Sequence, residues 1–204
     1  MKKLVLVLGV LLAPGLALAQ GTYYVDYYAD NVAYLPNNGN FSIIRILNAG
    51  TLGSPLNAPA CPGAGCICAN VYVFDADQEM VACCAQALTP NELGSAYVYS
   101  QLTQSLFKPD DVAEFESGGV LDIVLTPEPP GGCNPTLPLN GADATLGALW
   151  GTHTRPPGFV TFEVESLPRI LSAGQAAFLP QSCAIGLNLA SGGGICTIVP
   201  SDGQ

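Results

Sequence analysis

The sequence predicts a mainly β protein, an antiparallel β-sandwich or a jelly-roll-like domain, with one short helix near residues 172–182. Three observations lead to this prediction. About ten short stretches are rich in β-branched and aromatic residues, as strands are. Turns are abundant, since the 204 residues include 23 glycines and 17 prolines. A single stretch carries the start signal of a helix.

The strands are predicted from stretches that lie between turn-forming residues. Residues 22–28 contain four tyrosines, which favour an extended chain. Residues 69–74 and 79–84 are expected to pair as a hairpin around the turn at 75–78. The other predicted strands are 41–47, 96–102, 120–125, 145–150, 159–165, 186–189 and 195–199.

The helix prediction rests on Ser172, which can cap the first turn, and on Gln175 at the capping-box position. Pro180 interrupts the pattern and predicts an early stop or a kink. Residues 126–139 contain five prolines. This segment is therefore expected to be an extended surface loop, attached through Cys133.

The N-terminus has the pattern of an export signal. A positive pair at 2–3 precedes an apolar run at 4–12, and small residues flank a leucine at 17–19. This predicts a signal peptide of residues 1–19 and a single domain over 20–204. An uncleaved anchor is the alternative. The run is shorter than the roughly 18 residues of a permanent span, so we expect an extracellular or periplasmic chain without a membrane span.

Composition excludes two classes of protein. Six Lys and Arg residues stand against 16 Asp and Glu, for a net charge of -10. A basic surface for nucleic-acid phosphates cannot be built from so few cations. The 49% hydrophobic content also argues against disorder.

An even number of cysteines in an exported chain predicts a set of disulfides. We expect Cys68 to pair with Cys84 or Cys83 across the hairpin, and Cys183 to pair with Cys196. A zinc site from residues 66–68 and 83–84 is the alternative, although its ligand spacings are unusually short. The eight cysteines are Cys61, Cys66, Cys68, Cys83, Cys84, Cys133, Cys183 and Cys196.

Two blocks of sequence resemble uncharacterised secreted proteins of acidobacteria. The first comprises residues 68–80 with Cys83-Cys84 and residues 88–91, and the second comprises Leu171-Ser172, Cys183 and residues 192–196. The resemblance covers about a third of the chain, and Ala87 stands near where a further cysteine is expected. It implies export and cysteine pairing, and it transfers no catalytic residue.

The residues suited to catalysis are few. His153 is the only histidine, and the sequence has no G-x-S-x-G motif. Glu163 and Glu165 alternate with Phe162 and Val164, which places both carboxylates on one strand face about 7 Å apart. That spacing overlaps the spacing in glycosidases. The simpler interpretation is that Phe162 and Val164 face the core while the glutamates face water.

Two acidic clusters are candidates for calcium, which binds six to eight oxygen atoms. The first cluster does not match an EF-hand, because Met80 stands where the loop requires glycine, and its Asp75 and Asp77 are also typical turn formers. The first candidate set is Asp75, Asp77 and Glu79, and the second is Asp110, Asp111, Glu114 and Glu116.

The first strand, residues 22–28, suggests a way to self-associate. It can pair within its own domain or add to the exposed sheet edge of a neighbouring molecule or a cell-surface partner. The sequence as a whole predicts a secreted structural, adhesive or binding protein without catalytic activity. The alternatives are a calcium-dependent ligand-binding module and, third, a carboxylate-based hydrolase.

Overall fold

The structure is a computed structural model that describes residues 21–28, 42–54, 61, 63–103, 118–155, 160–189, 196 and 198–200. The predicted signal peptide, residues 1–19, lies outside the described residues. So does the second acidic cluster, which comprises Asp110, Asp111, Glu114 and Glu116.

Within the described residues the fold consists of two five-stranded sheets and one α-helix, which confirms the prediction of a mainly antiparallel β protein. The first sheet has the strand order β4-β3-β6-β1-β9, and the second has the order β10-β5-β2-β7-β8. The elements are β1 (Gly21–Tyr28), β2 (Ile43–Asn48), β3 (Ile67–Asp75), β4 (Met80–Leu88), β5 (Leu93–Tyr97), β6 (Gly119–Pro127), β7 (Gly147–Arg155), β8 (Val160–Glu165), β9 (Pro168–Leu171), α1 (Ala173–Leu189) and β10 (Val199–Pro200).

A core of apolar side chains lies between the two sheets. Successive side chains of a strand point to opposite faces, so every second residue enters this core. In β3 these residues include Val71 and Val73, and in β2 they are Ile44 and Ile46. The alternation of buried and partly exposed residues along β2 shows that the second sheet is covered on one face there.

The first sheet is also covered on its outer face. Tyr72, Cys83 and Val124 point away from the sandwich and pack with Leu179 and Cys183 of α1 in a second cluster. Strand β3 is therefore buried along most of its length. This explains its nearly continuous apolar sequence, which lacks the alternation of a strand with one face in water.

Helix α1 begins as predicted and continues further than predicted. Ser172 Oγ accepts a hydrogen bond from the backbone N–H of Gln175, and Gln175 Oε1 accepts one from the backbone N–H of Ser172. The expected stop at Pro180 is wrong, as is the expected strand at 186–189, because the helix runs to Leu189. Leu179, Pro180 and Cys183 are buried. Packing of this face against the sheet offsets the backbone hydrogen bond that proline cannot donate.

Two further elements differ from the prediction. Strand β5 ends at Tyr97, and Val98–Leu102 forms a helical turn where a strand was expected. Strand β9 was not predicted, since Pro168–Leu171 has too few β-forming residues to stand out.

All eight cysteines form disulfides, but the expected pairings are wrong. Cys68 bonds to Cys133 and not to Cys84 or Cys83. Cys183 and Cys196 are not bonded to each other. The pairs are Cys61 with Cys66, Cys68 with Cys133, Cys83 with Cys183, and Cys84 with Cys196. No thiol remains free, so the zinc alternative is also wrong.

The register of the hairpin explains the error. Phe74 pairs with Met80, so five residues, 75–79, lie between the paired positions, and a further register shift lies between Val73 and Phe74. Together these shift the register by two residues from a hairpin closed at 75–78, so Cys68 lies opposite Ala87 while Cys84 lies opposite Val71. The offset of three residues is about 10 Å along the strand, which is too far for a disulfide.

Strand β1 is paired within its own sheet on both sides. It pairs with β6 over residues 24–28 and with β9 over residues 21–24. Pairing inside the domain therefore occupies much of the strand that was considered for self-association.

Among the described residues, no helix combines the length and apolar character needed to cross a membrane.

The disulfides provide a first test, because their sequence separations differ widely. Cys84 and Cys196 are separated by 112 residues, and Cys61 and Cys66 by 5. If each bond acts by restricting the unfolded chain, replacing the first pair with alanines costs about 4–5 kcal/mol of unfolding free energy, against about 2 kcal/mol for the second. Urea unfolding without reductant measures both losses. Equal losses would contradict the assigned connectivity.

Candidate functional site

An open cleft lies between α1 and the outer face of the first sheet, at the end near the β3–β4 turn. Its volume is about 730 Å³. The helix contributes Gln175, Phe178 and Leu179 to one wall. The sheet and its turns contribute Phe74, Asp75, Ala76, Gln78, Gly118, Gly119, Val120 and Asp122.

Asp122 is one of two carboxylates that border this cleft. It is only 8% exposed, and it lies in β6 opposite Tyr72 of β3 and Val25 of β1. Burial removes water from the charged carboxylate and raises the pKa of Asp122 to about 6. Burial is the single cause of this shift, and within the part of the chain that the structure describes no hydrogen bond or ion pair reaches this carboxylate.

The groups around Asp122 do not neutralise it. Burial is the main cause that raises the pKa of Tyr23, and the negative charge of Asp122 raises it further. The Tyr23 hydroxyl instead accepts a hydrogen bond of 2.8 Å from Gln175 Nε2. Arg169 lies opposite Tyr23 in β9 and lowers the pKa of Tyr23, but burial dominates at Asp122. Helix α1 has no charged side chain.

A second carboxylate at the cleft, Asp75, has a structural role in the β3–β4 turn. Its Oδ1 accepts hydrogen bonds from the backbone N–H groups of Asp77, at 3.0 Å, and Glu79, at 2.8 Å. Gln78 adopts a positive φ of 69° in the same turn. These contacts are those of a turn former, the role considered for Asp75 beside calcium binding.

The predicted calcium ligands of the first cluster do not converge. Asp75 is buried while Asp77 and Glu79 are exposed. Among the described residues, the one group of three His, Cys, Asp or Glu side chains whose ligand atoms lie within 4.8 Å of one another is Cys61, Cys66 and Glu128. The disulfide between its two cysteines removes their metal-binding thiolates. Calcium binding at the turn stays a prediction.

The two glutamates that suggested hydrolysis lie in the other sheet. Glu163 and Glu165 share a face of β8, since they lie opposite Thr152 and Trp150 of β7. Glu163 forms an ion pair with Arg45, which also donates a hydrogen bond to Thr152. The expectation that Val164 is buried is wrong, because β8 is an edge strand and leaves Val164 43% exposed.

His153 lies in β7 opposite Phe162. Its side chain lies outside the described residues.

A second cavity, of about 320 Å³, lies beneath the proline-rich loop predicted at 126–139. Asn70 lines it and donates hydrogen bonds to the carbonyl of Val124 and to Thr126 Oγ1. Glu128 also lines it, and burial raises the pKa of this carboxyl. Asn70 is hydrogen-bonded, and the disulfide between Cys68 and Cys133 attaches the loop to β3. We therefore assign this cavity a structural role.

Asp122 was missed from the sequence because it falls within a predicted strand. The pattern predicts a buried strand with one polar residue over the stretch Val120-Leu121-Asp122-Ile123-Val124-Leu125. The aspartate within this apolar stretch is the feature that could have indicated a site, since carboxylates are rarely buried without a partner. Only the packing of α1 shows that it borders a cleft.

Comparison with protein-family models, with curated proteins and with solved structures finds no match. The resemblance to secreted acidobacterial proteins therefore stays a prediction.

The burial of Asp122 predicts a pH-dependent effect of the substitution Asp122→Asn. The folded-state pKa of about 6 exceeds the ordinary 3.8, so the unfavourable contribution is absent below about pH 4 and complete above pH 6. We expect Asp122→Asn to raise the unfolding free energy by about 1–3 kcal/mol at pH 7.5 and by much less at pH 4.

Urea unfolding of both proteins at the two pH values measures this difference. Asp77→Asn is the matched control, because it removes the same charge from an exposed turn residue. An equal effect of Asp122→Asn at both pH values would show that its carboxylate is not desolvated in the folded protein.

Proposed function

We propose that the protein is an exported binding protein without catalytic activity and that the cleft beneath α1 is its ligand site. The observation that carries this proposal is the buried carboxylate of Asp122, which faces an open cleft and has no partner among the described residues. A buried charge without a partner is costly to the fold. Such a residue is a candidate for a functional site.

Export is supported by the four disulfides, which are typical of oxidising compartments. The predicted signal peptide of residues 1–19 is consistent with this location. We propose an extracellular or periplasmic site of action.

Binding fits the cleft better than hydrolysis does. Glycosidases use two carboxyl groups about 5–9.5 Å apart. Asp75 and Asp122 also border one cleft, but the β3–β6 register offsets them by three residues, about 10 Å along the strands. Asp75 is engaged by the backbone of its turn. The cleft therefore lacks a close acid and base pair among the described residues.

Binding is also preferred to fibre assembly. Donor-strand assembly requires a strand that lacks partners in its own domain. Strand β1 instead has partners on both sides within the first sheet.

A substitution that fills the cleft tests whether it is a ligand site. Val120 is 37% exposed at the cleft, and Val164 is 43% exposed on β8 of the other sheet. We expect Val120→Trp to abolish binding of small fragments and Val164→Trp to leave it unchanged. Two-dimensional ¹H–¹⁵N NMR with cationic, neutral and anionic fragments supplies the measurement.

The same spectra show whether each variant is folded. Saturable shifts at the amides of Phe74, Val120 and Phe178 in the wild-type protein are the expected result. The proposed function is wrong if no fragment of any charge shifts these amides, or if Val164→Trp removes binding as effectively as Val120→Trp.

A further inference from the structure

We propose that the cleft selects organic cations, with an ammonium group at Asp122 and an apolar substituent against Phe178 and Val120. This inference rests on the proposed function and specifies its ligand class. Binding of the cation at this site requires neither a second copy of the chain nor a metal ion.

The first argument is the balance of charge in the cleft. Asp122 and Asp75 both border the cleft, and α1, which forms its other wall, carries no charge. Arg45 is engaged by Glu163 in the second sheet, and Arg169, which lies opposite Tyr23 in β9, does not line the cleft. A cationic ligand thus supplies the positive charge that the described lining residues lack, whereas an anionic ligand is repelled.

The second argument distinguishes an ammonium from a metal ion. Calcium requires six to eight oxygen ligands. Among the described residues, Asp122 belongs to no group of three ligating side chains within 4.8 Å of one another. A single carboxylate is nevertheless sufficient for an ammonium group, which carries one positive charge and donates hydrogen bonds.

The third argument concerns the rest of the ligand. Phe178 is 52% exposed at the cleft, and Val120 is 37% exposed. Phe74 and Leu179 also contribute to the lining. Burial of an apolar group against these side chains is favourable, and an aromatic ring also attracts a nearby cation. The predicted ligand is therefore an amine with an alkyl or aryl group, not a small hydrophilic cation.

Binding should depend on pH, because only ionised Asp122 attracts the ammonium. The titratable or charged groups that surround it are Tyr23 of β1, Tyr72 and Asp75 of β3, and Arg169 of β9. Burial raises the pKa of Tyr72 and of Tyr23, so both are neutral near pH 7. The pKa of Asp122, about 6, then sets the dependence. From pH 7 to pH 5 the affinity should fall about tenfold, in proportion to the ionised fraction.

The experiment compares three probes of similar shape, which are 2-phenylethylamine, 2-phenylethanol and 3-phenylpropionate. Each is titrated into the full mature protein at pH 7 and followed by NMR shifts of the cleft amides. We expect the amine to bind at least tenfold more tightly than the alcohol, and the carboxylate not to bind. Calcium chloride is titrated separately and should not compete with the amine.

Two variants separate a local effect from the general acidity of the protein. Asp122→Asn should weaken amine binding at least tenfold and remove its pH dependence. Asp77→Asn makes the same change of charge in the neighbouring exposed turn and should weaken binding less than twofold.

The outcomes distinguish the two proposals. If the alcohol binds at the cleft as tightly as the amine, or if Asp122→Asn has no effect on the amine, the cation inference is overturned and the cleft remains a ligand site. If no probe binds but other fragments shift the cleft amides, the ligand class is wrong. If nothing binds there, both proposals fail.

Discussion

Two consecutive residues of one strand connect the three layers of the molecule. Because side chains alternate along β4, Cys83 points to the outer face of the first sheet and Cys84 points into the sandwich core. Cys83 is bonded to Cys183 in α1, and Cys84 is bonded to Cys196 in the chain that leads to β10. The first sheet is thereby cross-linked to the helix on one side and to a segment adjoining the second sheet on the other. The position of α1, and with it the cleft, depends on this arrangement.

Asp122 is costly to the stability of the fold, because burial desolvates its carboxylate. Closer packing of α1 at Asp122, or an apolar residue in its place, would remove the cost of a desolvated carboxylate. The fold instead retains Asp122 in an outer-face position between Tyr72 and Val25. The disulfides restrict the unfolded chain, and this stabilisation helps the domain to tolerate such a residue. The binding role that we propose for Asp122 is a physical reason for keeping it.

Several features of the fold were predictable because they depend on local chemistry. Alternating β-forming residues identified most strands, and the Ser172 and Gln175 pair located the start of α1. Features that depend on distant contacts were not. Pro180 was expected to end the helix, yet its burial against the first sheet allows the helix to continue. The β9 strand has few β-forming residues and exists because its backbone completes the edge beside β1.

The sequence by itself determined the mainly β class, the tendency of the eight cysteines to form disulfides, and the scarcity of residues suited to catalysis. These follow from composition and from the period of two that strands require. Only the tertiary structure decided which cysteines meet and which carboxylate borders a cleft. A bulge and a five-residue turn shift the β3–β4 register, and that shift separates Cys68 from Cys84. The packing of α1 leaves Asp122 buried but open to a cleft, a relation between segments about fifty residues apart that no local pattern encodes.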